Sequence, residues 1–218
     1  NSPLVRILHL DKRVTVPQAS QKVGEATVQV SGHYFSRVLE LEEYLMQEHY
    51  LKYNLRFHWP TPGLDNTKLE NYSQSYIRKL SNIPTYQLDR NKIEGELLRR
   101  NQAAPDQYAF HNHALELDIA LSEQGAQGGL HTVSYVRQGE RRTVKTRWVV
   151  DAAGRAQVLK KKLNLVKPNN IRHGASFLWV EGLLNTERLT DMTPAESRVS
   201  PQRSITGNFP FWLATNHF

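Results

Sequence analysis

The 218-residue chain contains no cysteine. Disulfides, thiolate metal ligands and a cysteine nucleophile are therefore excluded. The redox compartment stays open, because a chain without cysteine simply does not require an oxidising one. Long apolar runs are also missing. Stretches such as Trp148 to Val150 are short, far from the roughly 20 residues that span a bilayer. No basic-then-apolar leader precedes Leu4, so no secretory signal is expected. There is no G-x-S-x-G, which leaves a serine hydrolase without support. There is no G-x-G-x-x-G phosphate loop and no internal repeat either.

Hydrophobic residues make up 39% of the chain and charged residues 22%. That balance suits a folded globular protein, either one large domain or two small ones. The formal charge of +7 is moderate and would suit an anionic cofactor, an acidic small molecule or nucleic acid. Its densest clusters are Lys160 to Lys162, Arg137 to Arg142 and Arg99-Arg100. No aromatic-basic RNA-binding motif accompanies them, so nucleic acid is not expected as a partner.

Val5 to Leu10 reads as a strand ending in the acid Asp11. Apolar residues from Tyr34 to Leu45 recur at helical spacing, with a break near Leu41. "KYNLRFHW", residues 52 to 59, alternates strictly and predicts a half-buried strand stopped by Pro60 and Pro62. A short helix is expected around Leu69 to Leu80, then a strand in "TYQLDR", 85 to 90. A helix follows with Asn91 as its N-cap and Glu94 three residues on. Ala114 to Leu121, Leu130 to Val136 and Thr143 to Val150 predict an antiparallel meander, with a hairpin turn in "RQGERR". Ala175 to Glu181 predicts another strand, and 185 to 208 a loop.

An acid at a strand end can accept from both hydroxyls of a ribose, although such an acid is more often a turn residue. Asp11 holds that position. In "WVVDAAGR", Asp151 is expected to end a buried strand, and Ala152, Ala153 and Gly154 leave the backbone open to a flat or anionic ligand. The following helix would turn its N-terminal amides the same way. An ordinary strand-to-helix turn explains the stretch equally well. Lys160 to Lys162 fall at the end of that helix, where cations suit the macrodipole. His111 and His113 lack a third ligand, so no metal site is expected.

Four pieces in order carry a resemblance: the acid-terminated strand, "KVGEATVQV", "YQLDRNKIEGELLRRN" and "RWVVDAAGR". Together they resemble FAD-dependent oxidoreductases of the aromatic hydroxylase fold, and especially their tryptophan halogenase-like branch. "GEAT" matches the loop that stands beside the flavin in that branch, and "HYLKYNLRFHW" is similar to the strand that follows. The closing "ATNHF" resembles the stretch ahead of the family's Trp-rich segment. The resemblance implies that Asp11 holds the adenosine ribose, and that Gly24, Glu25, Ala26 and Thr27 form the flavin-side loop. It makes Asp151, Ala152, Ala153 and Gly154 the turn near the cofactor and Arg90 a dinucleotide contact. Lys52 becomes the catalytic lysine, which in halogenases handles hypohalous acid and passes electrophilic halogen to the substrate. From the residues alone, a lysine on the polar face of a half-buried strand is more often solvated.

The chain departs from the pattern in lacking the Gly-rich phosphate loop, the late Gly-Asp motif and the Trp-x-Trp-x-x-Pro segment. An interior portion of a chain about twice as long is the simplest expectation, with FAD binding dependent on the missing segments. The expected fold is α/β, an FAD/NAD(P)-binding, Rossmann-like fold of the hydroxylase type with an inserted antiparallel β-sheet. Residues 1–50 and 86–165 would form the FAD-binding portion with the meander, and 51–85 and 166–218 the substrate-side portion. The expected function is part of a flavin monooxygenase or halogenase-like enzyme acting on a small organic, even aromatic, molecule. A flavin reductase or NAD(P)H would supply electrons, and a cytoplasmic location is expected. The alternative is a non-catalytic scaffold that keeps the fold and has lost the cofactor.

Overall fold

The computed structural model of the protein describes residues 5–52, 54–68, 71–76, 83–123, 128–171, 174–182 and 215–217. The chain divides into two compact units, one of residues 1–19 and 95–178, the other of 20–94 and 179–218.

In the first unit, strand β1 (Ile7–Leu10) pairs in parallel with β6 (Tyr108–His111), in the register Ile7 to Tyr108 through Leu10 to His111. The expected meander forms from β7 (Leu115–Ala120), β8 (His131–Arg137) and β9 (Glu140–Thr146), antiparallel and in that order. Alternation selects its face: Val133 and Tyr135 on β8 and Ile119 on β7 are buried. Gln138 and Gly139 join β8 to β9 with φ of 54° and 79°, the two left-handed residues of a type I′ turn, whose twist matches the strands. Beyond Gly154–Ala156, a 3₁₀ turn, the short helix α4 (Val158–Lys162) ends on its three lysines as expected. Lys162 reaches Asp118 at 3.3 Å.

Three expectations fail around this unit. The opening strand starts at Ile7, two residues later than the pattern suggested. The last meander strand stops at Thr146, paired with His131. Trp148 and Val150 are then 84% and 85% exposed, so Asp151 ends an open segment rather than a buried strand. β8 supplies no residue for 148–150 to pair with, and apolar side chains alone cannot make a strand without a partner. Residues 175–181 likewise form no ladder, and Leu178 and Val180 are exposed.

The second unit opens with α1 (Gln29–His33), which runs into a π-helical turn, Tyr34–Val38, before α2 (Glu42–Glu48). The interruption before Glu42 matches the break expected near Leu41. Leu41 and Leu45 are almost wholly buried, together with Tyr86, Leu88 and Ile93. β2 (Tyr50–Lys52) pairs antiparallel with β5 (Thr85–Gln87). Then β3 (Asn54–Trp59) pairs antiparallel with β4 (Ser73–Tyr76) and in parallel with β10 (Thr215–His217). The helix expected around Leu69 to Leu80 is replaced by β4 at 73–76; 69, 70 and 77–80 lie outside the described residues. So does the loop expected at 185–208.

Gly32 shows why a small residue is needed in α1. A Cβ there would come within 2.4 Å of the Pro84 carbonyl oxygen, so only glycine lets the helix approach the residue before β5. Helix α3 (Arg90–Gln102) begins one residue before Asn91, and Asp89 caps it. Its Oδ1 accepts from the backbone N–H of Asn91 at 2.9 Å and of Lys92 at 3.4 Å. Asn91 instead turns its amide to the backbone of Ser20.

Candidate functional site

Within the second unit the sequence-predicted residues Gly24 to Thr27, Lys52 and Arg90 meet around β5. Ala26 forms an antiparallel bridge to Gln87, with Leu88 N–H donating to Glu25 O at 2.8 Å and Thr27 N–H to Tyr86 O at 2.9 Å. This bridge geometry turns the N–H and C=O of Ala26 itself away from β5. Thr27 is buried, and its hydroxyl accepts from Tyr86 N–H at 2.7 Å while contacting Tyr86 O at 2.9 Å. The loop is therefore laid along one edge of β5, with β2 along the other.

Lys52, the last residue of β2, sends Nζ across to donate to the Thr27 carbonyl oxygen. Its own carbonyl accepts from the buried Thr85 hydroxyl at 2.6 Å. Lys52 is half-buried and loss of water lowers its pKa. It is thus not the freely solvated lysine that alternation alone would suggest.

Gly24 has φ +93°, and a Cβ there would touch Arg90 Nη1 at 3.4 Å. Arg90 donates from Nη1 to Val23 O at 2.6 Å, and from Nε and Nη2 to Glu94. Lys22 closes the set, with Nζ 2.7 Å from Glu94 Oε2. The carboxyl of Glu25 is pushed up, first by burial and then by Asp89, against hydrogen bonds from Trp179 and Gln87 and the charge of Arg90. Sequence reasoning missed the roles of Lys22, Thr85, Glu94 and Trp179. Only Glu94 left a trace, as the acid following Asn91.

The first unit holds the remaining predicted residues. Asp11 closes β1, as expected, and its carboxylate grips Arg13: Oδ1 accepts from the Arg13 backbone N–H at 2.8 Å and Oδ2 from Nη2 at 2.6 Å. Hydrogen bonding to Arg13 holds its pKa down. Asp151 accepts from Ala153 N–H at 3.0 Å and Leu159 N–H at 2.8 Å, and these amides lower its pKa. The start of α4 is thereby occupied by its own chain. Ala152, Ala153 and Gly154 are exposed, Gly154 at φ +57° with nothing near its Cβ position. His111 Nδ1 lies 2.7 Å from Tyr135 OH. No group of three or more His, Asp or Glu able to hold a metal ion occurs among the described residues. Nor is any described helix long and apolar enough to cross a membrane.

No family model matches the chain. In sequence it is similar to the flavin-dependent halogenase chlA of Dictyostelium discoideum, 32% identical over 179 residues, covering 77% of this chain. The chain spans only 29% of that relative's length. In structure it is similar to the flavin-dependent halogenase CmlS, with a TM-score of 0.55 and 16% identity over 74% of this chain and 27% of CmlS. The flavin-dependent brominase Bmp2, as a triple mutant, gives 0.53 and 17% over 72% of this chain and 35% of that one. At these identities the structural likeness speaks for the fold. The chain is similar in sequence to part of a flavin-dependent halogenase, in keeping with the FAD-dependent, tryptophan halogenase-like group that its motifs resemble.

Proposed function

We propose that this chain provides the flavin-side loop and the catalytic lysine of an FAD-dependent, halogenase-like oxidoreductase acting on a small organic, aromatic substrate. The observation that carries the reading is Lys52 held half-buried against the carbonyl of the Gly24–Thr27 loop. The loop suits the flat face of a flavin: Gly24 and Ala26 bring no bulk, and the peptide groups of Ala26 point away from β5. Gly24 to Thr27 would hold the flavin in the second unit; for Asp11 and the turn from Asp151 to Gly154, in the first, the reading keeps the cofactor roles that the resemblance implies. No G-x-G-x-x-G occurs among the 218 residues, and the reading assigns none of them to the phosphates.

Bound reduced FAD, with O2, would supply the oxidising power. Electrons would come from a flavin reductase or NAD(P)H. That oxidising power would turn halide into hypohalous acid. Lys52 would donate a hydrogen bond from Nζ to its oxygen, drawing charge from the halogen, so that the halogen bonds to a substrate carbon while the oxygen leaves as water and the carbon gives up its proton. Thr27 O and the β2–β5 pairing fix where that ammonium stands, and partial burial strengthens its field by excluding water. The test is flavin absorption and halide-dependent product formation by the complete enzyme. Retained flavin with product lost in Lys52→Met supports the reading. Colourless protein indifferent to added FAD overturns it in favour of a scaffold.

A further inference from the structure

Lys22, Val23, Arg90 and Glu94 form a closed set of contacts at the entrance to the Gly24–Thr27 loop. Glu94 takes Arg90 on Oε1 and Lys22 on Oε2 at 2.7 Å, and Arg90 spends a third N–H on the Val23 carbonyl at 2.6 Å. These contacts are partly shielded: the Lys22 and Glu94 side chains are 12% and 27% exposed. A long loop approach is thus tied at two successive residues to the first two turns of α3. Immediately afterwards the chain turns through Gly24 at φ +93°. It then runs as a single register along β5 to Thr27, whose carbonyl receives Lys52.

We propose that Glu94 is a positioning residue: acting through Arg90 and Lys22, it sets the register of residues 24–27 and so the place of the Lys52 ammonium. This assigns Arg90 a second task beside any contact with a dinucleotide. Three of its five N–H groups are committed to Glu94 and Val23, and Glu94 orients the fork so that Nη1 faces the Val23 carbonyl. The inference rests on the reading of Lys52 and its loop as the flavin-side site. Its contacts belong to the chain alone, so it can be tested without flavin.

The experiment is competitive labelling of lysines with acetic anhydride in the complete protein free of flavin, read by mass spectrometry as the ratio of Lys52 to exposed Lys160. Glu94→Ala should raise that ratio about fivefold as Thr27 O leaves Nζ, and Arg90→Lys should do the same although it keeps a charge for Glu94. The double variant should add little to either. Glu96→Ala, whose contacts are Arg99 and Arg100 on the same helix, should leave the ratio unchanged. An unchanged ratio in Arg90→Lys, or a rise shared equally by all lysines in both variants, would overturn the assignment. Selective exposure of Lys52 in a protein that never binds FAD would sustain it and sink only the proposed function.

Discussion

The Nζ of Lys52 donates to the backbone carbonyl of Thr27, 25 residues earlier in the chain. The lysine and the loop are therefore one structure, joined through β5. Replacing Lys52 by Met keeps the length of the stem and removes the ammonium. Halide-dependent product formation should fall at least about 100-fold, the scale of a positioned proton or hydrogen-bond donor in catalysis. Flavin-dependent O2 consumption should persist. Measuring both on one preparation checks it: product at the parent rate would remove Lys52 from the chemistry.

Gly32→Ala places a Cβ against the Pro84 carbonyl, a backbone atom with no rotamer to escape through. The expected loss is about 1–3 kcal/mol, the usual cost of overpacking. A urea melt should show a lower midpoint with little change in slope. A parent-like midpoint would mean that α1 does not hold this close to Pro84.

The cap of α3 is Asp89, so Asp89→Ala should cost about 1 kcal/mol, as the loss of an N-cap does. Asp89→Asn should recover most of it, since the amide oxygen still accepts. Asn91→Ala removes only the link to Ser20 and should cost less. The reverse order in thermal melts would return the cap to Asn91.

His49 is 7% exposed, and its Nδ1 accepts from the Asp89 N–H at 3.1 Å. Burial, outweighing Asp89 and Glu48, lowers its pKa, and Lys92 adds to the shift. A histidine depressed in the folded state is protonated first in the unfolded chain. Its stability contribution is therefore intact above about pH 6.5 and is lost as pH falls below that value toward the folded pKa. His9 and His111 are shifted the same way, each first by burial. Between pH 7 and pH 5 stability should fall. His49→Asn, which keeps an acceptor and cannot charge, should show a shallower fall. Equal slopes for the two proteins would exclude His49 from the effect.

Local rules made the meander legible. The strand-like runs separated by "RQGERR" predict it, and that turn contains the Gln138-Gly139 pair that the hairpin uses. The same rules misjudged Thr143 to Val150, because a run of apolar residues does not reveal where the neighbouring strand ends. Asn91 looked as good a cap as Asp89, and side-chain chemistry alone does not set which residue leaves the helical conformation. For the site, the motif named the Gly24–Thr27 loop and Lys52, which the structure brings together. The tie between them was invisible, since it depends on β5 lying between segments far apart in sequence. The Lys22–Glu94 contact, spanning 72 residues, was hidden for the same reason.

Asp151 sits across the start of α4, holding the amides of Ala153 and Leu159. A tethered carboxylate acts as an internal competitor, present at an effective concentration on the order of millimolar or above. Any phosphate seeking those amides must displace an anion that cannot diffuse away. Because the same amides lower the carboxyl's pKa, neutralising that competitor takes more acid than an ordinary aspartate would need. The turn that looked made for a phosphate is electrically self-sufficient, and what it offers a visiting molecule is the exposed, small-sided surface of Ala152 to Gly154.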